Sequence, residues 1–406
     1  MPFGFGRSVL GRSASAVANT FAGYDGSNDA TITRSAAWQD IIGFAAFNSE
    51  YGVLVNATNN GSNDQVAYDV VRNNSGSLSI TDQQNVIINT GVATYNNKGG
   101  LVAPLQNGTL MYDPRDTAVS TVQLFSISGA TVSHSTGASQ NRSFHNTPVF
   151  VSRTDDSDGY NNIDYEKTGE TIQTSAQFAS GTPTVSTESE SNVSLAHSNR
   201  CIPGFVDNDT PFWLNSTDSG ATVQPFKIDL GTGGAQSPTT FTGTPTTAQT
   251  VAQFNTANST NFSAAPMEFD RNGTSPFNAV AFNDIAIIVR HETGSSPNKC
   301  IFDTYKAGDS AVQRSNIVTL SAGASGETSG TGCFVGATND VFLFAFYDVP
   351  NTRVIVLKYI QSTNTASEVV NFVEDLTARE TVRLHRWGDN GALMSYGTTK
   401  LRLIQA

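Results

Sequence analysis

Near its C-terminal end the chain alternates short apolar runs with polar turns. Arg383-Leu-His-Arg-Trp387, Ala392-Leu-Met-Ser-Tyr396 and Lys400-Leu-Arg-Leu-Ile404 are three short strands, separated by Asp-Asn-Gly and Gly-Thr-Thr turns. The same object recurs upstream. Asp340-Val-Phe-Leu-Phe-Ala-Phe-Tyr turns at Pro-Asn-Thr into Arg353-Val-Ile-Val-Leu-Lys-Tyr-Ile, and Asp284-Ile-Ala-Ile-Ile-Val-Arg-His returns as Lys299-Cys-Ile-Phe-Asp-Thr-Tyr. Earlier hairpins read TPFWLNS with TVQPFKIDL, TPVFVSR with YNNIDYEK, GGLVAPLQ with TLMYDPR, and YGVLVNAT with QVAYDVV. Seven hairpins thus recur at intervals of roughly 56 residues. A further strand precedes several of them (IIGFAAF, FNAVAF, TGCFVGA, TVRLHRW), and another follows some, such as SLSI and NIVTL.

Four antiparallel strands repeated at this period predict an all-β fold, a single β-propeller with seven four-stranded blades, six and eight being the near alternatives. The run VFLFAFY is apolar at every position, so both faces of that strand must be covered, as between neighbouring blades. KLRLI and QVAYDV alternate, as suits strands nearer a rim. The last three strands leave one edge open. The segment Ala30-Thr-Ile-Thr-Arg-Ser35 has strand character and is expected to pair beside Lys400–Ile404, closing the ring. The expected division is an N-terminal arm over residues 1–29 and a propeller over residues 30–406.

The closing stretch LHRWGDNGALMSYGTTKLRLI resembles the last blade of bacterial and phage β-propellers that carry W-G-x-x-G-L motifs. The likeness in repeat architecture spans residues 30–406, the motif itself the last 25 or so. Trp-Asp blade endings, kelch double glycines and sialidase boxes are not found. In manner the chain resembles phage virion structural proteins, being rich in Asn, Ser, Thr and Gly behind a short MPFGFGRSVLG arm. The resemblance implies a non-enzymatic component of the virion, on the capsid or the tail, that contacts other virion proteins or the host. A carbohydrate- or receptor-binding propeller and a glycan hydrolase are the alternatives.

Composition narrows the partners. Charged residues make up 14% of the 406, and the net charge is −12. A surface built to neutralise phosphates would be basic, so nucleic acid is not an expected partner. No apolar run is long enough to span a bilayer as a helix. The apolar part of the N-terminus is short and broken by Gly and Ser, so no cleavable signal is expected. Cys201, Cys300 and Cys333 are widely separated and form no C-x-x-C, and they read as small buried hydrophobes. Thr168–Asn199 and Leu230–Pro266 are long Ser/Thr-rich tracts, including GTPTVSTESES and GAQSPTTFTGTPTTAQ, and insertions of this kind fall in propeller loops.

Chemistry is sparse. His134, His145, His197, His291 and His385 share no metal spacing, and no hydrolase, zincin or phosphate-loop motif occurs, so neither a catalytic site nor a cofactor is expected. The stretch Thr154-Asp-Asp-Ser-Asp-Gly-Tyr-Asn-Asn162 places oxygen side chains at Thr154, Asp156, Asp158 and Asn162, with Gly159 at the turn. That rhythm fits a calcium loop, and it resembles the D-x-D-x-D-G-x-x-D loops of integrin-type propellers with two ligand charges removed. It also reads as a polar hairpin turn. In the arm, Phe3, Phe5, Arg7, Leu10 and Arg12 combine apolar anchors with positive charge in an acidic chain, and they are expected to bind a partner protein.

Overall fold

The computed structural model describes residues 20–34, 40–59, 64–87, 101–104, 110–113, 119–141, 149–154, 160–166, 171–175, 190–191, 200–205, 211–216, 223–227, 239–240, 279–282, 285–291, 299–306, 312–321, 329–336, 340–348, 352–374, 376, 382–388, 391–397 and 399–406. Apart from one 3₁₀ turn, Thr20–Gly23, every regular element among them is a strand.

The described strands form seven four-stranded antiparallel sheets. Sheet 1 comprises Asp40–Ala46, Tyr51–Asn59, Asp64–Asn74 and Ser77–Ile87. Sheet 2 is Leu101–Pro104, Leu110–Asp113, Val119–Ser128 and Thr131–Asn141. Sheet 3 is Val149–Thr154, Tyr160–Glu166, Thr171–Ser175 and Glu190–Ser191, and sheet 4 is Arg200–Phe205, Pro211–Ser216, Val223–Lys227 and Thr239–Thr240. Sheet 5 is Ala279–Phe282, Ile285–His291, Lys299–Lys306 and Val312–Thr319, and sheet 6 is Ser329–Val335, Val341–Asp348, Arg353–Ile360 and Thr365–Val373. Sheet 7 takes Arg383–Arg386, Gly391–Tyr396 and Lys400–Gln405 from the end of the chain and Ala30–Thr33 from its beginning. The first strand of each sheet adjoins the first strand of the next, and that of sheet 7 adjoins that of sheet 1. The chain is a β-propeller.

Burial follows from the two-residue period of a strand. In Val341–Asp348 all eight residues are buried. Val341, Leu343, Ala345 and Tyr347 enter a core shared with sheet 7, while Phe342, Phe344 and Phe346 enter one shared with sheet 5. The next strand divides alike, with Val354 and Val356 toward sheet 7 and Ile355, Leu357 and Tyr359 toward sheet 5. Each such side chain contributes roughly 1.5–3 kcal/mol by leaving water, so a strand apolar on both faces bonds two neighbouring sheets at once. Phe44, Leu54, Val71 and Leu78 of sheet 1 pack with Trp387, Leu393, Leu401 and Leu403 of sheet 7, which joins the two ends of the repeat.

The edge left by the last three strands is occupied by Ala30–Thr33, whose residues stand opposite Leu403, Arg402, Leu401 and Lys400 in turn. Two features differ from the reading of the sequence. In sheets 2 and 3 the apolar hairpin is strands one and two, not two and three as in the other sheets. The third and fourth strands there, VSTVQLFSIS, TVSHSTGASQN and TIQTS, are polar enough that the first hairpin stands out instead. The arm boundary also shifts. Residues 20–29, expected to lie with the arm, belong to the ring, because Phe21 and Tyr24 are buried in the core between sheets 6 and 7.

Candidate interaction site at the closing seam

Since strands alternate in direction, turns between strands one and two and between three and four open on one rim, and the remaining connections on the other. Thr154 ends the first strand of sheet 3 opposite Tyr160, and Asn162 stands opposite Ser152 on the second strand. They therefore bracket a hairpin turn, and Asp156 and Asp158 lie outside the described residues. The strand ends joined by residues 176–189 and 228–238 share the rim of that turn, whereas Thr240 and Ala279 are joined across the opposite rim. Phe3, Phe5, Arg7, Leu10 and Arg12 also lie outside the described residues, as does His145.

Among the described residues no group of three His, Cys, Asp or Glu side chains stands together as a metal set. Burial pushes the Cys333 thiol up to about 12, so it is no thiolate at neutral pH. The ring of His385 leans on Phe44 with centroids 6.1 Å apart. Its Nε2 is sealed from solvent without a hydrogen-bond partner among the described residues. Burial, reinforced by Arg383, pushes it down to about 3, so it is neutral across the physiological range.

Among the described residues a dense polar constellation lies where the N-terminal segment enters the ring. Thr20–Gly23 turns tightly, with the Tyr24 amide donating to the Phe21 carbonyl at 3.1 Å. Phe21 is completely buried, its ring centroid 5.9 Å from that of Tyr24. Lys358 is the charged residue inside the apolar strand RVIVLKYI, which opens on the half-buried Arg353, and its Nζ donates to the carbonyls of Ala22 at 2.7 Å and Tyr24 at 2.8 Å. A buried ammonium thus finds its acceptors on the backbone of the incoming segment. Burial lowers its pKa, with Asp25 opposing.

Asp29 anchors the other end of the turn. Its carboxylate accepts from Tyr24 Oη at 2.9 Å, from Arg402 Nε at 2.6 Å and from the Gln405 amide at 3.3 Å. With a side chain only 2% exposed, Asp29 has its pKa raised by desolvation even though Arg402 pulls the other way. Between these anchors Gly26 has φ of +81°, and a Cβ there would stand 2.6 Å from Val370 Cγ2. The backbone needs the left-handed region and lacks space for a side chain, and glycine meets both conditions. Beyond the strand, Arg34 Nε lies 2.8 Å from Asp69 in sheet 1, the two side chains 9% and 0% exposed. Residues 21–34 are therefore fastened to sheets 6, 7 and 1.

Sequence reading did not single out Tyr24, Asp29, Asp69, Lys358 or Arg402. A signal was present for two of them. Lys358 in RVIVLKYI and Asp69 in QVAYDVV are charges set among apolar strand residues, and a charge in such a place is buried with a partner.

No family model matches this chain, and no curated protein does. Solved structures with a similar course of chain include the WD40 domain of SCAP from fission yeast, at 11% identity and a TM-score of 0.43 over 93% of this chain and 98% of that one. Another is a putative 6-phosphogluconolactonase from Bacteroides uniformis, at 11% identity and 0.46 over 86% and 89%. A third is the β-propeller domain of the Trilobed protease from Pyrococcus furiosus, at 9% and 0.42 over 89% and 92%. These neighbours differ from one another in what their names describe, and propellers serve many functions.

Proposed function

We propose that this propeller is a non-enzymatic structural protein of a bacteriophage virion, a rigid ring on the capsid surface or tail that holds other virion proteins or meets the host. The observation that supports this reading is the pinned entry of the chain. Residues 21–34 are fixed by buried charges at one seam, so whatever the preceding residues grip is coupled mechanically to the ring. Phe3, Phe5 and Leu10 offer apolar anchors there and Arg7 and Arg12 positive charge, which suits a capsid or tail protein with an acidic, partly apolar groove. Stiffness is served by hydrogen bonds across other seams. Trp387 Nε1 donates to the Asn48 carbonyl at 2.9 Å between sheets 7 and 1, and Thr304 Oγ1 donates to Tyr359 Oη at 3.1 Å between sheets 5 and 6.

The test is mass spectrometry of purified virions, followed by incorporation of a chain lacking residues 1–19. The full chain should be found in particles and the shortened one should fold but stay out. A shortened chain that still assembles would remove the arm from the reading. Binding on a glycan array, or release of reducing ends from host polysaccharide, would replace it with one of the carbohydrate alternatives.

A further inference from the structure

Side chains close the ring on both flanks of sheet 7 without help from residues 21–33. Toward sheet 1, the buried cluster in which Trp387 and Leu403 meet Phe44 and Leu54 includes none of them, and Ala30 and Ile32 only pack half-buried against it. The bond from Trp387 Nε1 to the Asn48 carbonyl crosses the same seam. Toward sheet 6, Leu384 and Met394 share a core with Leu343 and Val356, to which Phe21 and Tyr24 are added. Departure of the segment would bare the edge of Lys400–Gln405 and the site of Phe21, yet it would leave sheet 7 wedged between its neighbours.

The groups that fasten the segment differ in kind from those two cores. Lys358 and Arg402 carry their charges on long stems that swing toward water when the segment leaves. Asp29 and the carbonyls of Ala22 and Tyr24 depart with it and are hydrated as they go. Water therefore replaces much of what these bonds supply, whereas nothing replaces a buried apolar contact. Tyr24 makes the fastenings interdependent. Its carbonyl accepts from Lys358 at 2.8 Å, its hydroxyl donates to Asp29 at 2.9 Å, and its ring lies 5.9 Å from that of Phe21. Asp29 in turn holds Arg402 and the Gln405 amide, so loosening one contact loosens the rest. The unit ends at Arg34. Its Nε lies 2.8 Å from Asp69, whose fully buried side chain belongs to sheet 1 and does not travel with the segment.

We infer that residues 21–33 form a latch that opens as one unit, pivoting at Arg34, while the ring stays closed. Closed, the latch fixes the start of the chain to sheets 6 and 7; open, it lengthens the free N-terminal tether by up to roughly 45 Å. Gly26 sets the balance, because its φ of +81° and the 2.6 Å between a Cβ there and Val370 Cγ2 make the closed form specific to glycine. The inference is independent of the virion reading, since the latch belongs to the ring whatever the preceding residues hold.

The experiment is hydrogen–deuterium exchange of the unmodified full-length chain, read by mass spectrometry in a series of urea concentrations below the unfolding transition. Peptides covering residues 21–33 are compared with those covering Val341–Asp348, where every residue is buried. The latch peptides should exchange through an opening at least about tenfold more populated, and with a shallower urea dependence, than the reference peptides. Gly26→Ala should speed exchange in the latch by about tenfold to a hundredfold and leave Val341–Asp348 unchanged. Equal protection and equal urea slope in the two regions overturn the inference, since the segment would then leave only with global unfolding. Absence of any protection at residues 21–33 overturns it as well, since the latch would have no closed form. A Gly26→Ala effect of the same size in both regions does so too. Should that variant fail to fold, the urea series on the unmodified chain still decides.

Discussion

Cutting the chain on either side of the 3₁₀ turn distinguishes a ring that includes residues 20–29 from one that merely trails them. Removing residues 1–19 leaves every described contact of residues 20–34 in place, and the urea midpoint should stay where it is. Removing residues 1–24 also takes Phe21, Tyr24 and both carbonyl acceptors of Lys358. Burial of the two aromatic rings is worth about 1.5–3 kcal/mol each. The two hydrogen bonds to a charged donor add roughly 1.5–3 kcal/mol apiece, and a buried ammonium left unpaired is itself destabilising. Relaxation of Lys358 toward solvent returns part of this, so the net loss should be at least about 4 kcal/mol.

The sharper readout is a change of sign. In the full chain Lys358→Met deletes the two bonds to the segment, worth roughly 1.5–3 kcal/mol each, and should cost about 3–6 kcal/mol. In the chain lacking residues 1–24 the same substitution removes an unpaired buried charge and should stabilise by about 1–3 kcal/mol. Urea unfolding of the four proteins, followed by tryptophan fluorescence and far-ultraviolet circular dichroism, completes the cycle. Equal midpoints for the two truncations, or a Lys358→Met effect of the same sign in both backgrounds, would refute the account.

Three further outcomes are expected. His385 is held below its ordinary pKa in the fold, so its contribution to stability is fully present above about pH 6.5 and is lost as pH falls toward 3. The share of His385 in the unfolding free energy should therefore fall on acidification by no more than about 1.4 kcal/mol per pH unit, and the slope should flatten in His385→Phe. At Gly52 a Cβ would collide with the ring of Phe44, which packs on Trp387 with centroids 5.0 Å apart. Gly52→Ala should accordingly cost about 1–3 kcal/mol by thermal melting and perturb Trp387 fluorescence. If the turn between Thr154 and Asn162 binds calcium, millimolar calcium should raise the melting temperature and Asp158→Ala should abolish the rise, whereas an unchanged wild-type transition marks an ordinary turn.

The repeat was legible because strand burial has a short period. A strand caught between two sheets is apolar at consecutive positions, as VFLFAFYD and RVIVLKYI are, and no amphipathic helix or half-exposed strand produces that pattern. The need for a closing strand was legible for a related reason, since three strands ending on an apolar edge demand a fourth. The phase of the repeat in sheets 2 and 3 was not. Where the outer strands are polar, local pattern marks the most apolar hairpin and does not say how many strands lie inside it.

Tertiary structure alone decided the role of residues 20–29. By composition Phe21 and Tyr24 resemble the aromatic residues scattered through the preceding arm, and Asp29 resembles a solvated turn residue. Their burial depends on a groove formed by strands more than 300 positions later, with Lys358 and Arg402 already in place to receive a carbonyl and a carboxylate. Local sequence determines whether a segment can extend and which of its faces is apolar. Whether a surface exists to cover that face is set by contacts distant in the chain, and the ring has such a surface only once its last two sheets have packed together.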